Sequence, residues 1–250
     1  MIFRQFLHQS PIAASYMVGC GGQGECVIVD PIEDLDPYLE ASRDTGMRIV
    51  DVIDTHVHAD HLSGGRALAE TVGARYLVHE SVAVSGGTAV EDGQELIVGN
   101  VRIRVLHTPG HTPEHVCLLV TDRTRGPDPW FVLTGHTLMV GDMGRTELAT
   151  SAEEGAEALC RSAARLRALP DYVEVWPGAF AGSVCGRGLS GKPATTIGFE
   201  RRFNAAFRIE DPRTFVSVML ADIPPKPPHA DQIRATNLYG VLEPSAPIHP

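Results

Sequence analysis

The sequence predicts an α/β protein in which two sheets pack together with helices on their outer faces. Three observations point there. Short apolar runs come first and are then interleaved with helical segments, in two successive batches. Nothing in residues 1–220 reads as a linker, so both batches belong to one domain. Histidines gather where strands end, which is where α/β architectures build sites.

The elements follow in order. Ile2–Leu7, Ala14–Val18 and Cys26–Asp30 read as strands, the last two joined by the loop CGGQGE. That loop lacks the Lys-Ser/Thr ending and the following helix of a phosphate cradle, so it is read as a turn. Leu35–Thr45 is a helix with Asp34 as candidate cap and Gly46 as its end. Arg48–Asp54 is a strand that runs into THVHADH. Gly65–Val72 is a helix and Arg75–Val78 a strand. Glu95–Val98 and Val101–Leu106 form a hairpin about Gly99-Asn100. Val116–Val120 and Trp130–Leu133 are buried strands. Ser151–Leu169 is the clearest helix: Ser151 and Glu154 make a capping box, and Ala156, Leu159, Ala163 and Leu166 share one face. Tyr172–Trp176 is a last strand and Thr195–Ala206 a last helix. Residues 221–250, with IPPKPPH at 223–229, are expected to form a proline-rich extension packed on the 1–220 domain.

The chain has 250 residues, 43% hydrophobic and 21% charged, enough to bury a large core. A net charge of -10 argues against a nucleic-acid surface. No apolar run approaches the ~20 residues that span a bilayer. MIFRQFLHQS lacks the sections of a signal peptide, and the five cysteines include no C-x-x-C pair. A cytoplasmic protein with reduced thiols is the expectation, with no membrane partner and a homodimer as a possible assembly.

His56, His58, Asp60 and His61 place four ligand-type side chains in six residues. At a strand end, positions i and i+2 share a face, so His56 and His58 can aim at one point. Such a group is unfavourable to bury without a partner, and neutral imidazoles with a carboxylate suit zinc or iron. In HTPGHTPEH, the Pro109-Gly110 turn presents His111 at a strand exit, flanked by His107 and His115 as ligand or structural residues. His136 follows the run Trp130–Leu133 in the same manner.

THVHADH, TPGHT and LTGHTLMVGDMGRTEL, in that order, resemble the metallo-β-lactamase superfamily. VGDMGRTEL, PGAFAGSVCGRGLS and TTIGFERRFN make the chain most similar to its persulfide dioxygenases, over about residues 1–240. The resemblance implies a four-layer αββα sandwich with a metal site on the rim. It implies one Fe(2+) per chain, held by His56, His111 and position 136, with Zn(2+) as the alternative ion. The substrates implied are O2 and a small-molecule thiol persulfide, such as glutathione persulfide, oxidised to thiol and sulfite. Two family ligands differ: its Asp is His136 here, and its late His is Ala179. A carboxylate can bridge ions ~3.5–4 Å apart and a neutral imidazole cannot. One ion is therefore expected, the second position keeping only Asp60 and His61. His58, Asp60 and His61 become candidates for proton handling, and Arg145, Cys185 and Arg187 for substrate contact, with pairing to a carboxylate in support of the rim as the alternative for Arg145 and a plain loop as the alternative for Cys185 and Arg187. The alternative function is a zinc-dependent hydrolase of thioesters or lactones, similar to hydroxyacylglutathione hydrolases; a third reading is a catalytically altered family member.

Overall fold

The computed structural model describes residues 1–221, 223 and 225–240. Its first sheet carries β1 (Ile2–Gln9), β2 (Ile12–Cys20), β3 (Glu25–Val29), β4 (Arg48–Ile53), β5 (Arg75–His79) and β6 (Thr88–Val90), side by side in that order. Pairing is antiparallel from β1 to β3 and parallel from β3 to β6. Helices α1 (Asp36–Thr45) and α2 (Gly65–Val72) make the crossovers from β3 to β4 and from β4 to β5.

The second sheet holds β7 (Glu95–Val98), β8 (Val101–His107), β9 (Val116–Asp122) and β10 (Phe131–Gly135). A small ribbon, β11 (Leu138–Met139) with β12 (Asp142–Met143), follows. Helix α3 (Ala152–Arg167) then leads to β13 (Glu174–Pro177) and β14 (Thr195–Thr196), giving the order β14-β13-β10-β9-β8-β7. Helices α4 (Ile197–Phe203), α5 (Pro212–Ala221) and α6 (Ala230–Tyr239) complete the described chain.

Strand alternation distributes the apolar residues into layers. Tyr16, Val18, Val27 and Val29 point inward and meet Ile103, Val105, Leu118 and Leu133 of the second sheet. Their neighbours Met17, Cys26 and Ile28 face outward onto Tyr38 of α1 and Leu68 of α2. On the other side Cys117, Val132 and Val175 pack beneath Leu159, Ala163 and Leu166 of α3 and Phe215 of α5. The expected αββα sandwich is the fold observed.

Several local differences have clear causes. Thr195 and Thr196 pair with β13, and the Thr196 hydroxyl accepts the Phe199 amide at 3.2 Å, so the expected Thr195–Ala206 helix starts only at Ile197. Two helices were not anticipated. Helix α5 begins where Asp211 accepts the Thr214 amide and buries Phe215 and Met219 one turn apart. Helix α6 lies inside the proline-rich extension, of which residues 241–250 fall outside the described residues.

Gly110 sits where the β8–β9 loop meets α3. Its φ is +146°, and a β-carbon there would lie 2.5 Å from the Leu159 Cα. Gly110→Ala is therefore expected to destabilise the protein by about 2–4 kcal/mol, a loss readable as a lowered urea midpoint.

Candidate metal centre

Three strand ends open on one rim. Strand β4 delivers Asp54 to His61, the loop after β8 delivers His111, and β10 delivers His136. The ligand-capable atoms of His56, His111 and His136 all lie within 4.8 Å of one another, and all three residues are buried.

Local hydrogen bonds set the tautomers of two of them. Asp30 accepts both the Thr55 amide at 2.6 Å and the Thr55 hydroxyl at 2.8 Å. That hydroxyl then accepts from Nδ1 of His56 at 2.9 Å, leaving the His56 Nε2 lone pair facing the cleft. Nε2 is buried and has no hydrogen-bond partner. Nδ1 of His111 donates to the Arg145 carbonyl at 2.8 Å, again freeing Nε2, which sits 3.2 Å from Nδ1 of His136. Two nitrogens bound to one ion at about 2.1 Å lie about 3 Å apart, so the spacing suits a shared cation. Burial lowers all three histidines. Burial and the charge of His136 push His111 to about 3. Burial takes His136 to about 4 although Asp60 acts in the opposite direction. The cluster is thus neutral, the form that coordinates metal.

His115 is a structural residue. Its Nε2 accepts the His136 amide at 3.0 Å, and its Nδ1 donates toward the hydroxyls of Thr137 and Thr108 at 2.9 and 3.1 Å. Gly135, at φ +48°, makes this approach possible, since a β-carbon would lie 2.5 Å from the His115 ring nitrogen. His107 stacks on His79 with ring centres 3.9 Å apart.

A second group adjoins the first. Donor atoms of His58, Asp60 and His61 lie within 4.8 Å of one another, and Cys185 joins Asp60 and His136 at the same spacing. The expectation that only Asp60 and His61 remain there is corrected by the folded geometry: the loop after β13 turns the Cys185 thiol to 3.5 Å from Asp60 Oδ2. Burial opposes the charge on His58, but the Asp30 hydrogen bond and the Asp30, Asp54 and Asp60 carboxylates lift it to about 9. Burial would raise Asp60, yet His61, which donates at 3.0 Å, holds it well below the usual carboxylate range. Burial and Asp60 push the Cys185 thiol well up, making it an S–H donor. Ala179 leaves β13 on the same rim, because the Gly178 amide donates to the Gly135 carbonyl at 2.8 Å.

The guanidinium groups of Arg145 and Arg187, candidates for substrate contact or for structural support, are engaged by protein partners. Arg145 is buried against Glu147 and the carbonyls of Val184 and Pro225, and its own carbonyl serves the cluster. Arg187 pairs with Asp142 at 2.8 Å. Sequence reasoning missed the residues that brace the loop. Glu114 accepts the Val57 amide at 3.0 Å, and Arg234 of α6 joins Glu114 to the Val57 carbonyl. Asn237 of α6 donates to the carbonyls of His58 and His61, each at 2.9 Å.

The sequence signature described as the metallo-beta-lactamase superfamily matches residues 11–178. The chain belongs to that superfamily. A solved structure of a metallo-beta-lactamase from Staphylococcus aureus subsp. aureus COL superposes with a TM-score of 0.90 at 34% identity, covering 98% of this chain and 74% of that one. The mitochondrial persulfide dioxygenase ETHE1 of Homo sapiens is 24% identical over 98% of this chain and 91% of its own. A hydroxyacylglutathione hydrolase from Polaromonas sp. (strain JS666) is 27% identical over 85% of this chain and 88% of its own. The His/Asp cluster of this superfamily member is consistent with a bound metal ion. Among the described residues no helix is long and apolar enough to cross a membrane.

The Asp30–Thr55–His56 chain generates a test. Thr55→Val is expected to lower metal affinity about 10–100-fold, by chelator competition, while the circular dichroism spectrum is retained.

Proposed function

We propose that the protein is a mononuclear non-haem iron dioxygenase that acts on a thiol-bound persulfide. One observation carries the reading: ligand-capable nitrogens of three buried histidines, His56, His111 and His136, converge within 4.8 Å of one another, beside the carboxylate of Asp60. His56, His111 and His136 would hold the ion, which would bind and activate sulfur and O2. Persulfide, O2 and water yield thiol and sulfurous acid, which ionises to sulfite; the S–S bond breaks and four electrons pass to O2.

The chain's own residues orient the reactants and manage protons. Asp60 is placed to take the proton of the persulfide S–H or of the incoming water, with the Cys185 S–H and His61 steadying its two oxygens. His58, bonded through Nε2 to Asp30 at 3.3 Å, offers a proton to the departing thiolate. Burial of the histidines excludes bulk water from the reacting atoms. The end-to-end similarity to a persulfide dioxygenase, together with the VGDMGRTEL and SVCGRG segments, supports this choice.

A second reading, a zinc-dependent thioesterase or lactonase, is favoured by the comparable similarity to a hydroxyacylglutathione hydrolase. Asp60 would then accept the proton of the attacking water. Reconstitution with Fe(II) under anaerobic conditions, followed by the persulfide of glutathione diethyl ester and air-saturated buffer, separates the two. Oxygen uptake matched by sulfite, reduced at least about tenfold in His136→Ala, is expected. Thioester hydrolysis without oxygen uptake would support the second reading instead.

A further inference from the structure

A cavity of about 350 Å³ opens directly beside the cluster, with Asp60 and His61 among its lining residues. The larger hollow of the molecule, about 630 Å³, lies between α3 and α5 and is lined by none of the cluster residues. The smaller cavity is therefore the place for the body of a substrate whose sulfur reaches the histidines. Its volume falls in the range of small-molecule sites.

The walls have a specific character. Leu62, Val184, Pro227, Pro228 and Ile233 make them largely apolar, and Glu33 adds a carboxylate. Among the described residues, no lysine or arginine lines the space. Basic residues close in sequence to its walls are held by their own acids: Lys226 by Asp231, Arg234 by Glu114, and Arg187 by Asp142. His229 and His61 are the lining groups able to carry positive charge, and Nδ1 of His61 is already engaged with Asp60.

From this we infer that the cavity selects thiol carriers whose body bears no carboxylate, and that it discriminates against glutathione. The inference rests on the thiol-substrate reading above and names the carrier class for that site. Glutathione would bring two carboxylates into a largely apolar space already lined by two, Glu33 and Asp60. Desolvating them without a guanidinium or ammonium partner is unfavourable, and repulsion from Glu33 adds to the penalty. A neutral or amine-bearing carrier meets neither obstacle.

The test compares two ligands of one skeleton. Isothermal titration of the metal-containing protein with glutathione and with glutathione diethyl ester reads binding without turnover. The ester is expected to bind at least about tenfold tighter. Glu33→Lys is expected to bring the ratio to unity or below, with Glu33→Gln intermediate. Equal or tighter binding of free glutathione, a ratio unchanged in Glu33→Lys, or binding of neither ligand would overturn the inference. Oxygen uptake with the two persulfides is scored separately. Its absence alongside the predicted binding ratio counts against the dioxygenase reading alone, whereas rapid uptake with tightly bound glutathione persulfide counts against the carrier assignment alone.

Discussion

Buried ring nitrogens without a hydrogen-bond partner form the constraint around which this structure is arranged. His56 Nε2, His58 Nδ1 and His61 Nε2 all lie out of solvent without a hydrogen-bond partner. Each such atom is unfavourable by about 1–3 kcal/mol in a folded protein. The surrounding residues maintain this state. Asp30 itself adopts φ +50°, uncommon for a residue other than glycine, at the end of β3, and from there it accepts from Thr55 and His58. Strain of this kind persists where neighbouring structure over-determines it, and here the product is a set of donors turned toward one cleft.

Two sheets and a late helix share the task of positioning. β4 belongs to the first sheet, β8 and β10 to the second, so the cluster joins the halves of the sandwich at their common rim. His115 ties the start of the His136 segment to the β8–β9 loop, and the Arg145 carbonyl fixes His111. Helix α6 closes the arrangement by holding the carbonyls of His58 and His61 through Asn237 and the Val57 segment through Arg234. Histidines of identical chemistry thereby take different roles. His111 keeps a free lone pair, while His115 uses both ring nitrogens for internal hydrogen bonds.

Much of this was legible in the chain. Period-two apolar runs located the main strands, and the dense H-x-H-x-D-H stretch at a strand end located the centre. Strand β6 was not legible, because three residues give no period to read. Helix α6 follows a proline-rich run and carries a weak apolar face, with Ala230 and Ile233 buried, so its contacts and not its pattern fix it. The destinations of Arg145 and Arg187 were left open in the chain for a related reason. A guanidinium on a long stem can reach carboxylates and carbonyls in several directions, and only the folded positions of Glu147 and Asp142 decide among them. Cys185 was a candidate for substrate contact; its hydrogen bond to Asp60 depends on a loop separated from that residue by more than a hundred positions.

The proposed single-ion centre follows from His136. An imidazole in place of a bridging carboxylate, and a methyl group at Ala179 on the same rim, remove two links that would hold a second cation. The most direct measurement is anomalous diffraction from crystals of the protein grown with its metal, collected on both sides of the iron edge. The account predicts one peak per chain, within bonding distance of nitrogens from His56, His111 and His136. Two peaks in the cleft, or one peak bound by Asp60, His61 and Cys185 with His136 unbound, would contradict it.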